Sequence, residues 1–266
     1  MPASDPAYLR DQLAPILREA GDIALAKLKT PLKRWTKGGN SPVSEGDIAV
    51  NDFLIARLPP LMPDAGWLSE ETEDNPARTN ASAVWIVDPI DGTRAYLDNR
   101  PDWTVSVALA IDGRSVVGGL YAPATNEMFL AAAGQGTTLN GKPVSPDSGA
   151  GLSGARIAGP QSSLQKLTEM APEIVAQPKI FSLALRLARV ATGALDAAFA
   201  SRNSHDWDLA AADLLVHEAG GLLTDLAGQP LRYNRAQPVH GTLVAAGRAR
   251  HAMLIEFLHE RRNEFA

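Results

Sequence analysis

Val84-Trp85-Ile86-Val87-Asp88-Pro89-Ile90-Asp91-Gly92-Thr93 joins an uninterrupted apolar run to an acidic, turn-forming segment. Four apolar residues in a row are the pattern of a strand buried on both faces, because a half-solvated strand alternates. The segment after it reads in two ways. Pro, Asp and Gly are turn formers, and Asp-Gly is a common hairpin dipeptide. Alternatively, Asp88 and Asp91 converge at the carboxyl end of a buried strand, a usual place for a site in a sheet. Burying both carboxylates costs several kcal/mol unless cations compensate. Gly92 lets a backbone approach a ligand closely, and Thr93 opens what could be a helix N-terminus, with N–H groups for an anion.

Outward from this stretch the chain changes character twice. Upstream, Leu9, Leu13, Ile16, Leu17, Ala20, Ile23, Ala24 and Leu28 recur at helical spacing over 8–28. A second helix is expected over 48–58, entered from a Gly39-Asn40-Ser41-Pro42 turn and stopped by Pro59-Pro60. Downstream, 104–111 and 115–121 flank Asp112-Gly113, a strong hairpin signal. Residues 127–133, the Gly134-Gln135-Gly136 loop and Asn140-Gly141 continue an antiparallel pattern.

The Pro-, Ser- and Gly-rich stretch 143–154 is the expected seam between two halves, 1–150 and 151–266. Beyond it come strands at 156–158, 196–200, 222–225 and 243–246. Helices are expected at 183–192, at 209–219 ending in Gly220-Gly221, and at 249–262. Helices first, then a meander, then alternating strands and helices make a layered α/β fold with two sheets.

Composition bounds the chemistry. The 266 residues are 45% hydrophobic and 21% charged, as in an ordinary globular chain. A net charge of −5 offers no basic face for a nucleic-acid polymer. The absence of Cys excludes a disulfide scaffold, a thiolate nucleophile, a Cys zinc site and an iron–sulfur cluster. The first 29 residues lack the apolar core of a signal peptide, and no stretch approaches the ~20 apolar residues of a membrane span, so the expected location is cytoplasmic.

Two further acidic clusters stand at element ends. Ser69-Glu70-Glu71 is either a solvated loop or helix start, or a source of ligands. In Asp206-Trp207-Asp208, Asp206 reads as an N-cap and Asp208 as a first-turn acid placed to reach another layer. Taken together, carboxylates, carbonyls and a hydroxyl without thiolate or obligatory His suit Mg²⁺ or Mn²⁺ rather than Zn²⁺. Two such ions roughly 3.5–4 Å apart clamp the attacking and leaving oxygens of an in-line phosphoryl transfer.

Asp47, Glu70-Glu71, Asp88 to Thr93, Trp207-Asp208 and Gly220-Gly221 stand in one order along most of the chain. In this the sequence resembles the inositol monophosphatase superfamily of lithium-sensitive, magnesium-dependent phosphomonoesterases. The resemblance implies a five-layer α-β-α-β-α sandwich with an N-terminal antiparallel sheet and a C-terminal mixed sheet. Asn40 to Ser44, Leu68 to Glu71, Asp91 to Arg94 and Leu120 to Pro123 resemble its CysQ-like 3'(2'),5'-bisphosphate nucleotidase branch, whereas Val190 to Asp196 resembles the inositol phosphatases. The stretch 201–204 lacks the acidic residue that inositol phosphatases offer to a polyol hydroxyl.

The resemblance further implies that Glu70, Asp88 and the Ile90 carbonyl hold a first Mg²⁺. Asp88, Asp91 and Asp208 would hold a second, with Glu70 sharing a looser third. Thr93, polarised by Asp47, would orient or deprotonate the water, while the Gly92 and Thr93 amides cradle the phosphate. Glu71 would support the ligands. Mn²⁺ would substitute and Li⁺ inhibit. The expected partner is a small phosphate ester, adenosine 3',5'-bisphosphate first and an inositol or sugar monophosphate as the alternative, with a homodimer left open. Lys37 and Arg94 are either solvated charges or phosphate contacts. Ser201 and His205 are candidate substrate contacts, His205 reading equally as a packed or solvated residue, and Trp207 is expected in the core beneath the metals. A haloacid-dehalogenase-type phosphatase would need Asp-x-Asp, and the spacing here is Asp88-x-x-Asp91. A degenerate relative acting as a binding module would be expected to have lost ligands, and none is missing.

Overall fold

The computed structural model describes residues 5–38 and 41–265. In chain order, the first part comprises α1 (Pro6–Leu28), β1 (Arg34–Lys37), β2 (Ser41–Ser44), α2 (Glu45–Arg57), β3 (Gly66–Ser69) and β4 (Ala83–Asp91). It continues through α3 (Thr93–Leu97), β5 (Thr104–Ile111), β6 (Arg114–Ala122), β7 (Glu127–Ala132), β8 (Thr137–Leu139) and β9 (Lys142–Pro143). The second comprises β10 (Arg156–Ala158), α4 (Gln161–Met170), β11 (Val175–Ala176), α5 (Leu183–Ala191), β12 (Ala197–Ala200) and β13 (Ser204–His205). It closes with α6 (Asp206–Glu218), β14 (Gly221–Asp225), β15 (Val239–His240), β16 (Leu243–Gly247), α7 (Arg248–Leu258) and α8 (Arg262–Phe265).

Two sheets organise these elements. The seven-stranded sheet runs β3-β4-β5-β6-β7-β8-β9, antiparallel except that β3 joins β4 in parallel at one edge. The five-stranded sheet runs β11-β10-β12-β16-β14 and is mixed. Alternation along each strand sorts side chains between layers. On β4, Trp85 and Val87 enter the cluster built with α1 and α2, while Val84 and Ile86 enter the one built with α5 and α6. On β12, Ala198 and Ala200 face that same middle cluster, whereas Ala197 and Phe199 pack outward with α4 and α7 residues. The layers therefore run α-β-α-β-α, and both sheets share the helical pair α5–α6. No helix among the described residues is long and apolar enough to cross a membrane.

Several expectations are corrected. Where a turn was expected before α2, Ser41–Ser44 pairs with Arg34–Lys37 as a short hairpin; Gly39 and Asn40 lie outside the described residues. Helix α2 starts at Glu45 rather than 48, because Ser44 caps it and Asp47 accepts from the Ser44 N–H at 2.8 Å. Helix α6 is capped by His205, not Asp206, which already occupies the first helical position. The terminal helix breaks after Leu258 into a 3₁₀ turn. Helix α4 and the edge strands β3 and β11 were not anticipated: α4 buries only Leu167 of its ten residues, and β11 is two residues long, so neither leaves a periodic apolar signal. Gly134-Gln135-Gly136 is a structural clamp, its two glycine N–H groups each donating at 2.9 Å to the Glu218 carboxylate at the end of α6.

The middle layer sits close because β6 carries Gly118-Gly119. A Cβ on Gly118 would lie 3.0 Å from the Ala211 carbonyl of α6, and one on Gly119 2.5 Å from Leu17 of α1. Gly118→Ala reduces unfolded-chain entropy, worth about 0.4–1 kcal/mol. Overpacking against helix backbone costs about 1–3 kcal/mol, so the variant is expected to be less stable. A lower urea midpoint at unchanged m-value checks this, and wild-type stability would show that α6 is not tightly seated.

Candidate functional site

Asp88 and Asp91 would face opposite sides of a regular strand, being an odd number of residues apart. The register against β5 changes between them: Asp88 pairs with Ser106 and Asp91 with Thr104, so β4 carries one extra residue. That bulge turns the two carboxylates to one side. Asp88 Oδ1 accepts from the Ile90 N–H at 3.0 Å. Asp91 accepts from Ser182 Oγ at 2.6 Å, the Ala184 N–H at 2.7 Å and the Leu183 N–H at 3.2 Å, the opening of α5. Asp208, in the first turn of α6, is fixed by the His205 N–H donating to Oδ2 at 2.7 Å. Asp88, Asp91 and Asp208 each offer an oxygen within 4.8 Å of the others.

Glu70 follows β3, where its N–H donates to the Val87 carbonyl at 3.2 Å, and lines the same cavity of about 320 Å³. Glu71 lies deeper and pairs with Lys37, whose Nζ also donates to the Glu70 carbonyl at 3.2 Å and stands 3.8 Å from Glu70 Oε1. Lys37 is therefore not a freely solvated charge; it is a counter-ion for the two glutamates. Beside the cavity, Thr93 Oγ1 lies 3.1 Å from Asp47 Oδ1 and 3.1 Å from the Ile90 carbonyl. Asp47 is held in turn by the hydroxyl and N–H of Ser44. Gly92 takes φ +92°, and a Cβ there would come within 3.0 Å of the Ser182 nitrogen.

The electrostatics follow from burial. Desolvation, then Glu70, Asp91 and Asp208, raises the Asp88 carboxyl well above its ordinary range. Asp208 is raised in the same way, by burial and then by Asp91. Asp91 is raised by burial despite its three hydrogen bonds. Burial pushes Glu70 up to about 7 against the opposing charge of Lys37. Such a cluster favours protonation or cations, and its oxygen-only donor set fits a hard divalent ion.

The remaining predicted residues scatter around this centre. Arg94 lines the cavity from α3. Ser201 lies on the rim of a neighbouring cavity of about 570 Å³. His205 stacks on the Trp207 ring with centroids 4.4 Å apart. Trp207 is only partly buried, packing at the edge of the middle cluster, because its ring covers His205 rather than filling the core. Sequence reasoning missed Lys179, Phe181, Ser182 and Arg186. Ser182 before an apolar helix is a readable cap signal, but its tie to Asp91 is a tertiary one.

A model of the inositol monophosphatase family matches residues 5–263. Nus factor SuhB of Escherichia coli strain K12 is 32% identical over 222 residues, covering 79% of this chain and 82% of that protein. The inositol monophosphatase of Dictyostelium discoideum is 34% identical over 227 residues, covering 80% of this chain and 83% of the relative. The crystal structure of the extragenic suppressor protein suhB from Bartonella henselae superposes with TM-score 0.82 at 27% identity, over 94% of this chain and 98% of that one.

Carboxyls raised in the folded state bind protons more tightly there than in the unfolded chain. Their contribution to stability is therefore present below the ordinary carboxylate range and is lost as pH rises through about 7, where Glu70 titrates. A cation that takes the deprotonated cluster restores the loss. The increment in Tm produced by Mg²⁺, measured against chelator, is expected to grow from pH 5 to pH 8. An increment that is the same at both would contradict a coupled carboxylate site.

Proposed function

This chain belongs to the inositol monophosphatase family, and we propose that within it the substrate is a phosphate ester carrying a second anionic group, adenosine 3'(2'),5'-bisphosphate being the leading case, cleaved to AMP and phosphate. Members are metal-dependent phosphatases, and the chain is a phosphoric monoester hydrolase. One observation carries the finer reading. Arg186 of α5 is only 8% exposed, its Nε is buried without a hydrogen-bond partner among the described residues, and it lines the cavity next to the carboxylate cluster. Lys179, seated 4.3 Å over the Phe181 ring, borders both cavities. A buried guanidinium with open donors favours a bidentate oxyanion. A neutral polyol hydroxyl would leave its charge uncompensated, and the loop at Ser201 lacks an acid to hold a polyol.

Glu70, Asp88, Asp91, Asp208 and the Ile90 carbonyl are the groups that would hold divalent ions, Mg²⁺ first. When bound, such ions supply Lewis-acid stabilisation of the phosphoryl oxygens and make water a better nucleophile. The chain's own groups do the rest. Thr93 Oγ1 orients the attacking water. Asp47, raised by burial and in contact with Thr93, accepts a proton relayed through that hydroxyl. The Gly92 and Thr93 amides face the phosphate, each donor of this kind being worth about 3 kcal/mol in the transition state. The Arg186 cavity positions the other phosphate, so that binding energy remote from the reacting bond orients it. Inhibition by Li⁺ belongs to the same reading.

Catalytic efficiency on adenosine 3',5'-bisphosphate is expected to exceed that on inositol 1-phosphate; the reverse ranking would overturn the substrate assignment. Arg186→Ala should lower it about 10–100-fold on the bisphosphate, a charge-assisted pair being worth about 1.5–3 kcal/mol. Activity on a monophosphate should change little. Asp88→Asn should lower turnover on every ester by at least about a hundredfold while leaving the protein folded, and near-normal turnover would refute the carboxylate site.

A further inference from the structure

Helix α6 borders another cavity, further along from Asp208, that the reaction does not use and whose largely apolar wall carries a group of polar side chains. It encloses about 260 Å³ beside the β5–β6 hairpin, with Arg114, Ser115, Asp213, His217, Arg232 and Tyr233 among its lining. Asp213 is 8% exposed. Its Oδ2 accepts from the Tyr233 hydroxyl at 2.8 Å. Its Oδ1 is buried and faces His217 Nε2 at 3.3 Å in poorly aligned geometry, with no other partner among the described residues. The Ser115 hydroxyl is buried with no hydrogen-bond partner among the described residues. Arg232 Nη1 donates to the Asp112 carbonyl at 3.1 Å, which holds its guanidinium beside the hairpin. The Asp213 carboxylate holds His217 toward its protonated form. Buried polar atoms in native proteins nearly always find a partner, so the orphaned Ser115 hydroxyl, beside an Asp213 oxygen whose one neighbour is His217, points to a polar occupant.

The pattern of donors and acceptors specifies that occupant. Two guanidiniums and an imidazolium recruit an oxyanion. A carboxylate oxygen with an open lone pair repels a bare oxyanion but accepts a hydrogen bond from a protonated one. We propose that this cavity is a binding site for inorganic phosphate, held through its P–OH by Asp213 and through its other oxygens by Arg114, Arg232 and Ser115. Near neutral pH phosphate keeps at least one proton, whereas sulfate, with the same shape, keeps none, so the site discriminates between them. The assignment does not depend on which ester the enzyme cleaves. It places the inorganic product of the reaction on the helix whose first turn carries Asp208.

The ring-proton resonance of His217, identified by its loss in His217→Gln, reports on this cavity directly. Divalent ions are removed by chelation so that anions gain nothing from the catalytic carboxylates. Inorganic phosphate is expected to shift the resonance saturably, and sulfate to do so at least about tenfold more weakly, the discrimination of one charge-assisted hydrogen bond. Arg114→Gln with Arg232→Gln, both at exposed positions, should abolish the shift, and Arg186→Ala should leave it intact. Asp213→Asn should bring the two anions toward equal affinity. Equal curves for phosphate and sulfate in the unmodified protein, or a shift that survives loss of both arginines, would overturn the site.

Discussion

Like charge brought together under cover is the constraint that shapes this molecule. Three carboxylates from β4 and α6 approach within 4.8 Å, with Glu70 lining the same cleft. In water such an arrangement would be mildly repulsive; in a partly desolvated cleft it is severe. The scaffold holds it through rigid backbone rather than flexible loops. Asp88 and Asp91 sit on a strand whose residues are all buried. Asp208 is fixed by the capping turn of a helix packed on both sheets.

The protein's own cations are placed where they relieve the repulsion without filling its centre. Lys37 neutralises the glutamates from one side. Arg186, itself lowered by burial, feels Asp91 and Asp208 from the other. Neither forms a close ion pair with the aspartate triad among the described residues, which leaves the middle to a small, highly charged ion. The same placement leaves Arg186 with unspent hydrogen-bonding capacity facing the adjacent cavity. One side chain thus feels the charge of the cluster and lines the cavity next to it.

Much of this was legible in the sequence where chemistry is local. The continuous apolar run 84–87 indicated a strand buried on both faces, and the Asp112-Gly113 hairpin formed as read, with φ +50° and +75°. The acidic motifs Glu70, Asp88, Asp91 and Asp208 proved to line one cavity. What stayed hidden depends on tertiary partners. A period-two reading puts Asp88 and Asp91 on opposite faces, and only the pairing with β5 shows the bulge that reunites them. Lys37 could not be assigned to Glu71 from their separation along the chain. Arg186 lies within a strongly amphipathic helix, where a basic residue reads as a solvated charge until its burial is seen.

Asp91 serves two masters. Its carboxylate receives the first amides of α5 and the Ser182 hydroxyl, yet the same oxygens belong to the triad. A cation entering the cleft must draw on electron density already committed to that helical turn. The carboxylate that would meet a cation is thus also the one that anchors the backbone at 182–184. Because Arg186 rides one turn further along the same helix and feels the charge of Asp91 and Asp208, one short helical segment joins the acidic cleft to the cavity beside it.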